Sequence, residues 1–89
     1  MPEITLTVEH KVGLHARPAS LFVETANQFE SDISVQHGDK RANAKSVLSV
    51  LTLGVGQGDK ITISSDGDDA QEALDALNSL IQKNFEVET

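Results

Sequence analysis

Two hydrophobic periods alternate along this chain, and their order constrains the fold more than any other feature. Apolar residues take every second position in segments that begin at Ile4, Ile33 and Ile61, as in strands with one buried face. The segment 40–43 follows the second of these after Gly38-Asp39, so we predict a β-hairpin whose glycine accommodates the turn.

Three other segments carry apolar residues at helical spacing. The first stripe contains Ala19, Phe22, Val23, Ala26 and Phe29. The second is the run 47–53, which lies between a candidate N-cap, Ser46, and Gly54. The third contains Ala70, Ala73, Leu74, Leu77, Leu80 and Ile81. Asp69 precedes this stripe, and together with Glu72 three residues later it has the spacing of a capping box.

The predicted order is therefore strand, helix, strand, strand, helix, strand, helix. One layer of helices on a mostly antiparallel sheet would bury every stripe and leave a polar face in water, with Thr5, Thr7, Thr62 and Ser64. We predict an α/β (α+β) open-faced sandwich, a four-stranded sheet covered on one face by three helices, as a single domain over residues 1–89.

Composition excludes several classes of function. The net charge is -7, from 14 acidic and 7 basic residues, so the overall field repels nucleic acid backbones and anionic lipids. Cysteine is absent, which excludes disulfides, thiol redox chemistry and thiolate metal sites. No apolar run approaches the roughly 20 residues of a spanning helix. We expect a cytoplasmic monomer that neither binds nucleic acid nor inserts into a membrane.

The segment 13–20, with the sequence GLHARPAS, joins the first strand to the first helix. Proline is favoured in a first helical turn, so Pro18 puts His15 at the helix N-terminus. Free amides and the helix dipole there suit an anion and keep an imidazole neutral and nucleophilic. The Arg17 guanidinium can hold two phosphate oxygens. On spacing alone, however, a histidine before a helix is more often a loop or capping residue.

Two motifs in register resemble those of a known family. GLHARPAS resembles the active-site motif of the HPr family, the histidine-containing phosphocarriers of the bacterial phosphoenolpyruvate-dependent sugar phosphotransferase system. ANAKSVLSVLTLGV, residues 42–55, resembles the second motif of that family. The resemblance extends to length and element order, and so to the whole chain.

The resemblance implies a phosphoryl carrier in sugar transport. His15 would be the phosphohistidine, modified at Nδ1 by Enzyme I and discharged onto a sugar-permease IIA domain. Arg17 would stabilise the phosphate, with Ala16 and Pro18 in supporting positions. It also implies that the carrier is not an enzyme by itself and needs no metal or other cofactor.

Ser46 has a structural and a regulatory interpretation. Its position as a helix N-cap is sufficient to explain it. In many Gram-positive relatives the corresponding serine is the target of a regulatory kinase, so the resemblance makes Ser46 a candidate phosphorylation site. The alternative function is then a regulatory phosphoprotein of carbon or nitrogen control. It would be a substrate of a serine kinase/phosphorylase, would bind a transcriptional regulator, and would act by partner binding through Ser46.

The short second helix has two apolar rows, and a sheet can bury only one of them fully. We predict that Val50 and Leu53 are buried and that the other row is exposed. That row would join a docking patch beside His15, composed of Ser20, Leu21, Val47, Leu48 and Leu51. The alternative is that Leu48 and Leu51 extend the core.

Other charged and polar residues receive simpler interpretations. Basic residues are expected to gather on the side of His15, namely Lys11, Arg17, Lys40, Arg41 and Lys45. His10 and His37 are interpreted as ordinary surface residues, because no second ligand lies at a metal-binding spacing. The glycines at 54, 56 and 58 indicate a loop and not a nucleotide-binding motif.

Overall fold

The computed structural model describes residues 2–9 and 16–83, and within them the predicted fold and element order are confirmed. The sheet is antiparallel throughout, in the order β1-β4-β2-β3. Its strands and helices are β1 (Glu3–Thr7), α1 (Ala16–Ala26), β2 (Asp32–His37), β3 (Lys40–Asn43), α2 (Val47–Leu51), β4 (Lys60–Asp66) and α3 (Ala70–Gln82). None of these helices is long and apolar enough to cross a membrane.

The register of the strands separates the two faces of the sheet. Ile63 of β4 is paired with Ile4 and with Val35, so branched aliphatic side chains lie side by side on the helix-covered face. On the other face Thr5 and Thr62 are paired, and their hydroxyl oxygens are hydrogen-bonded at 3.0 Å. The predicted polar face is therefore confirmed.

The helical stripes form the core beneath this sheet. Ala19, Phe22, Val23 and Ala26 of α1 are buried, as predicted. Phe29 lies beyond the end of α1 and is only partly buried against the same core. The other large, fully buried side chains come mainly from β4 and α3, and include Ile61, Ile63, Leu74 and Leu77.

The β2–β3 hairpin turns at Gly38, and Gly54 follows the apolar run of α2, as predicted. Gly38 has a φ of 61°, a conformation that glycine adopts without the steric cost of a Cβ. Helix α2 ends at Leu51, two residues before the end of the apolar run. Its last turn tightens, because Leu53 N–H donates to the Val50 carbonyl at 3.1 Å, and Gly54 with a φ of 64° then reverses the chain.

The predicted capping box of α3 is wrong. Asp69 is the N-cap residue, but its carboxylate makes no bond to the start of its own helix. It accepts instead from the amides of Glu30 at 2.9 Å and Ser31 at 3.0 Å, and from the Ser31 hydroxyl. The Ser31 hydroxyl, followed by these amides, lowers the pKa of Asp69. These donors belong to the loop after α1, and the Asp69 carboxylate binds them instead of the amides at the start of α3.

A close backbone approach supports this tie. Gly67 has a φ of 151°, and a Cβ built on it would lie 2.8 Å from the Ser31 Cα. Only glycine allows the loop before α3 to come this close to Ser31. The Asp69 carboxylate thereby holds the end of β4 against the loop that leads into β2.

Candidate functional site

His15 itself lies outside the described residues, as do Lys11 and the side chain of Ala16. Its placement at the helix N-terminus therefore stays a prediction. The structure does describe both sides of the segment 10–15, namely the end of β1 and the first turn of α1.

On the C-terminal side, α1 begins at Ala16, the residue directly after His15. Pro18 therefore lies in the first turn, where its missing N–H leaves no helical hydrogen bond unmade. Pro18 is buried, whereas Arg17 is exposed. The first turn thus offers amides without intrahelical partners and an exposed guanidinium, which is the chemistry that an anion requires.

On the N-terminal side, Val8 and Glu9, which directly follow β1, are held by the α2–β4 loop, residues 52–59. Val8 N–H donates to the Asp59 carbonyl at 2.9 Å, and the Val8 carbonyl accepts from Gly58 N–H at 2.7 Å. The side-chain amide of Gln57 reaches the Glu9 carbonyl at 3.4 Å. The segment 10–15 therefore starts from a backbone position that is fixed by hydrogen bonds.

Ser46 occupies the N-cap of α2, as its position predicted. Its φ of -120° and ψ of 115° are extended, and its hydroxyl accepts from Ser49 N–H at 3.4 Å. Its carbonyl accepts from Val50 N–H at 3.0 Å, the first bond of the helix. Ser46 is partly exposed.

Lys45 lies near the C-terminal end of α1, opposite to the first turn of that helix. Its ammonium donates to the Phe29 carbonyl at 2.6 Å, just after the helix, and its carbonyl accepts from the Asn27 side chain at 3.3 Å. Eleven helical residues span about 16 Å, so Lys45 is remote from the first turn. Arg41 donates to the Ser34 hydroxyl at 2.9 Å on the polar face of the sheet. These hydrogen bonds hold Lys45 away from the first turn of α1 and Arg41 on the polar face of the sheet, so they give no support to the expected gathering of these two basic residues on the side of His15, which stays a prediction.

The two apolar rows of α2 separate only in part as predicted, because Leu51 and Val47 of the row expected to be exposed pack partly against the core. Val50 is 0% and Leu53 2% exposed, whereas Leu48 is 78% exposed. Leu51, Val47 and Leu21 are partly buried, and Ser20 is exposed. Because α2 packs against α1, the docking patch spans both helices. Its role in docking and its distance from His15 stay predictions.

The sequence-based interpretation of His37 as an ordinary surface residue is wrong. Its Nδ1 lies 2.8 Å from the Leu53 carbonyl, and its Nε2 lies 3.4 Å from the Asp59 carboxylate. The same carboxylate oxygen accepts from Gly56 N–H at 2.8 Å. A signal was present: His37 continues the alternation of Ile33 and Val35, which places its side chain on the helix-covered face.

The fold and the flanks of the segment define a class: a small open-faced βαββαβα sandwich with an anion-suited first turn after a histidine. A family model described as "PTS HPr component phosphorylation site" matches residues 2–83. The chain belongs to the HPr family of phosphocarrier proteins.

Individual relatives agree with this assignment. HPr-like protein Crh from Halalkalibacterium halodurans is 45% identical over 83 residues, which cover 93% of this chain and 99% of that protein. The crystal structure of HPr-C-His from Thermoanaerobacter tengcongensis has 47% identity and a TM-score of 0.95, with 100% of both chains covered. Crh from Bacillus subtilis, described as an intertwined dimer with a swapped domain, has 39% identity and a TM-score of 0.75, covering 98% of this chain and 100% of that one. The relatives thus include a dimer, and they give the expectation of a monomer no support.

Proposed function

We propose that this protein is a phosphoryl carrier of the phosphoenolpyruvate-dependent sugar phosphotransferase system. It accepts a phosphate from Enzyme I on His15 and passes it to a sugar-permease IIA domain. The observation that carries this proposal is the start of α1 directly after His15, with Arg17 exposed and Pro18 in the first turn, in a chain of the HPr family. These partners make the cytoplasm the expected location.

The chemistry follows from the groups around the segment 10–15. The neutral imidazole attacks phosphorus through the lone pair of Nδ1, and its proton stays on Nε2. A nitrogen–phosphorus bond forms while the bond between phosphorus and Enzyme I breaks, and the electron pair returns to Enzyme I. The amides of the first turn and the Arg17 guanidinium offset the phosphate charge. In the discharge step, a nucleophile of the IIA domain attacks the phosphorus. The nitrogen–phosphorus bond then breaks, and its electron pair returns to Nδ1 of His15.

The docking patch supports a role that requires two successive protein partners. An exposed leucine beside half-buried apolar side chains is a surface suited to protein association. Leu48 is the only large hydrophobic residue that is exposed among the described positions. An apolar surface of this kind allows different partners to bind in turn, because it imposes little directional demand on either of them.

Phosphate incorporation tests the proposal directly. Incubation with Enzyme I and phosphoenolpyruvate should add one acid-labile phosphate per chain. His15→Ala should abolish it, whereas His10→Ala, a matched histidine control, should leave it unchanged. Arg17→Gln should slow incorporation without changing its extent. Absence of phosphate on the wild-type chain, or an undiminished amount on His15→Ala, would reject the carrier function.

A second candidate is a regulatory phosphoprotein that acts through Ser46. It is favoured by the similarity to two Crh proteins, one of which is described as a catabolite repression protein. A phosphate on the partly exposed Ser46 would add a charge of about -1.5 to -2 to the surface near Leu48. It would be added by a serine kinase/phosphorylase and recognised by a transcriptional regulator of carbon or nitrogen control. Binding that requires phosphoserine and is indifferent to His15→Ala would favour this function over the first.

A further inference from the structure

Lys45 lies in the turn that connects β3 to α2, and each of its polar groups has a hydrogen-bond partner. Its N–H donates to the side-chain oxygen of Asn43 at 2.9 Å, and its carbonyl accepts from the Asn27 side chain at 3.3 Å. Its ammonium donates to the Phe29 carbonyl at 2.6 Å. Lys45 directly precedes Ser46, the N-cap of α2, so these bonds fix the point at which α2 begins.

Two of these partners lie at the C-terminal end of α1. Asn27 directly follows the helix, and its side-chain amide also donates to the Val23 carbonyl in the last turn at 3.0 Å. The last turn of α1 contains no basic residue, so the Lys45 ammonium supplies the positive charge that the C-terminal end of a helix favours. Because this donor is charged, its bond to the Phe29 carbonyl is stronger than one between neutral groups.

This connection matters because α2 is too short to fix its own position. It has five residues, too few for a stable helix by itself in water. Burial of Val50 holds it against the core, but the hydrophobic effect is non-directional and does not by itself align the helix. Hydrogen bonds do impose distances and angles. Among the described residues, no hydrogen bonds other than those of Lys45 join α2, or the turn before it, to the end of α1.

The alignment of α2 with α1 bears on function because the docking patch is shared between the two helices. Ser20 and Leu21 belong to α1, whereas Val47, Leu48 and Leu51 belong to α2. A shift of α2 along α1 would change the spacing between these two halves. It would therefore change the shape that a protein partner has to match.

From this geometry we propose that Lys45 and Asn27 are positioning residues for partner docking, which align α2 with α1 and thereby set the shape of the docking patch. This inference rests on the proposed carrier function. Neither residue belongs to the patch, and both lie at the end of α1 that is remote from its first turn. Releasing the connection should therefore weaken docking with Enzyme I and leave the transfer step unchanged.

Two variants release the connection, one with and one without a change of charge. Lys45→Met retains the apolar stem and removes the ammonium, whereas Asn27→Ala removes both side-chain donations and changes no charge. Each should raise the KM for the carrier in the Enzyme I reaction about three- to ten-fold, the range expected for the loss of one hydrogen bond. The kcat should stay within about two-fold of wild type. Lys45→Arg retains a charged donor and should raise the KM less than Lys45→Met does.

Two controls separate alignment from charge and from general stability. Lys60→Met removes the same charge from the exposed polar face of the sheet and should leave the KM unchanged. Ala73→Gly weakens α3, because glycine is unfavourable inside a helix, and it does so away from α2. It should also leave the KM unchanged.

Hydrogen exchange reports the placement of α2 without any partner. The Val50 and Thr52 amides donate within α2 and should exchange faster with solvent in Lys45→Met and in Asn27→Ala than in wild type. The double variant should raise the KM by less than the product of the two single effects, because both changes release the same segment.

An unchanged KM in Asn27→Ala, an equal rise in Lys60→Met or Ala73→Gly, or a loss confined to kcat would overturn the inference. If the wild-type chain accepts no phosphate at all, the carrier function fails. Amide exchange then decides alone: unchanged rates for Val50 and Thr52 would refute the alignment of α2 by Lys45 and Asn27, and faster rates would support it.

Discussion

Removal of the Ser65 hydroxyl should stabilise the protein. Ser65 lies on β4 and is 0% exposed. Its side chain is on the helix-covered face of the sheet, the same face as Ile61 and Ile63 of that strand. Its Oγ has no hydrogen-bond partner among the described residues, although its backbone N–H donates to the Pro2 carbonyl at 3.0 Å. A buried hydroxyl without a partner costs about 1–3 kcal/mol relative to its state in water.

Ser65→Ala deletes one oxygen and leaves only a small void. The recovered desolvation cost outweighs the lost van der Waals contacts of a single atom, so we expect a gain of about 1 kcal/mol in the free energy of unfolding. In a domain of this size that corresponds to a rise of about 4–8 °C in Tm. Urea unfolding and a thermal melt would measure both quantities.

The adjacent serine provides the matched control. Ser64 lies on the polar face, where its hydroxyl donates to the Glu3 carboxylate at 3.3 Å, and Ser64→Ala should change stability by less than about 0.5 kcal/mol. If Ser65→Ala instead destabilises the fold by about 1 kcal/mol or more, the hydroxyl has a partner and the reasoning is refuted.

Two further predictions concern the docking patch and the tie at Asp69. Leu48→Asp should leave the free energy of unfolding within about 0.5 kcal/mol of wild type, because Leu48 is 78% exposed, and should raise the KM for the carrier in the Enzyme I reaction. Thr52→Asp, which places the same charge on the same exposed surface without removing an apolar side chain, is the comparison. An unchanged KM for Leu48→Asp would exclude this patch from docking. The lowered pKa of Asp69 means that its carboxylate stabilises the fold above its unfolded pKa of about 3.9, and that this stabilisation is lost as the pH falls through the lower folded value. Urea midpoints should therefore show wild type above Asp69→Asn at pH 7, with the difference shrinking below about pH 4; a difference that is constant with pH would contradict this origin.

Membership of the family could be predicted from two short motifs, and the placement of the site only in part. GLHARPAS predicted the start of α1 with Pro18 in its first turn, because proline restricts the backbone locally. The placement of the His15 ring and its distance from the docking patch stay predictions. They depend on how the segment 10–15 packs against the rest of the molecule, which no local pattern encodes.

The sequence by itself determined the order of the elements, the Gly38 turn, the Ser46 cap and the choice of Val50 over Leu48 for burial. Each of these depends on residues only a few positions apart, whose spacing decides which side chains share a face. Tertiary structure alone decided the partners of Asp69, His37 and Lys45. Asp69 binds Ser31, 38 positions earlier, and His37 binds Leu53, 16 positions later. Such partners meet only after the sheet and its loops assemble, because a polar group takes whichever donor or acceptor the assembled fold brings within reach.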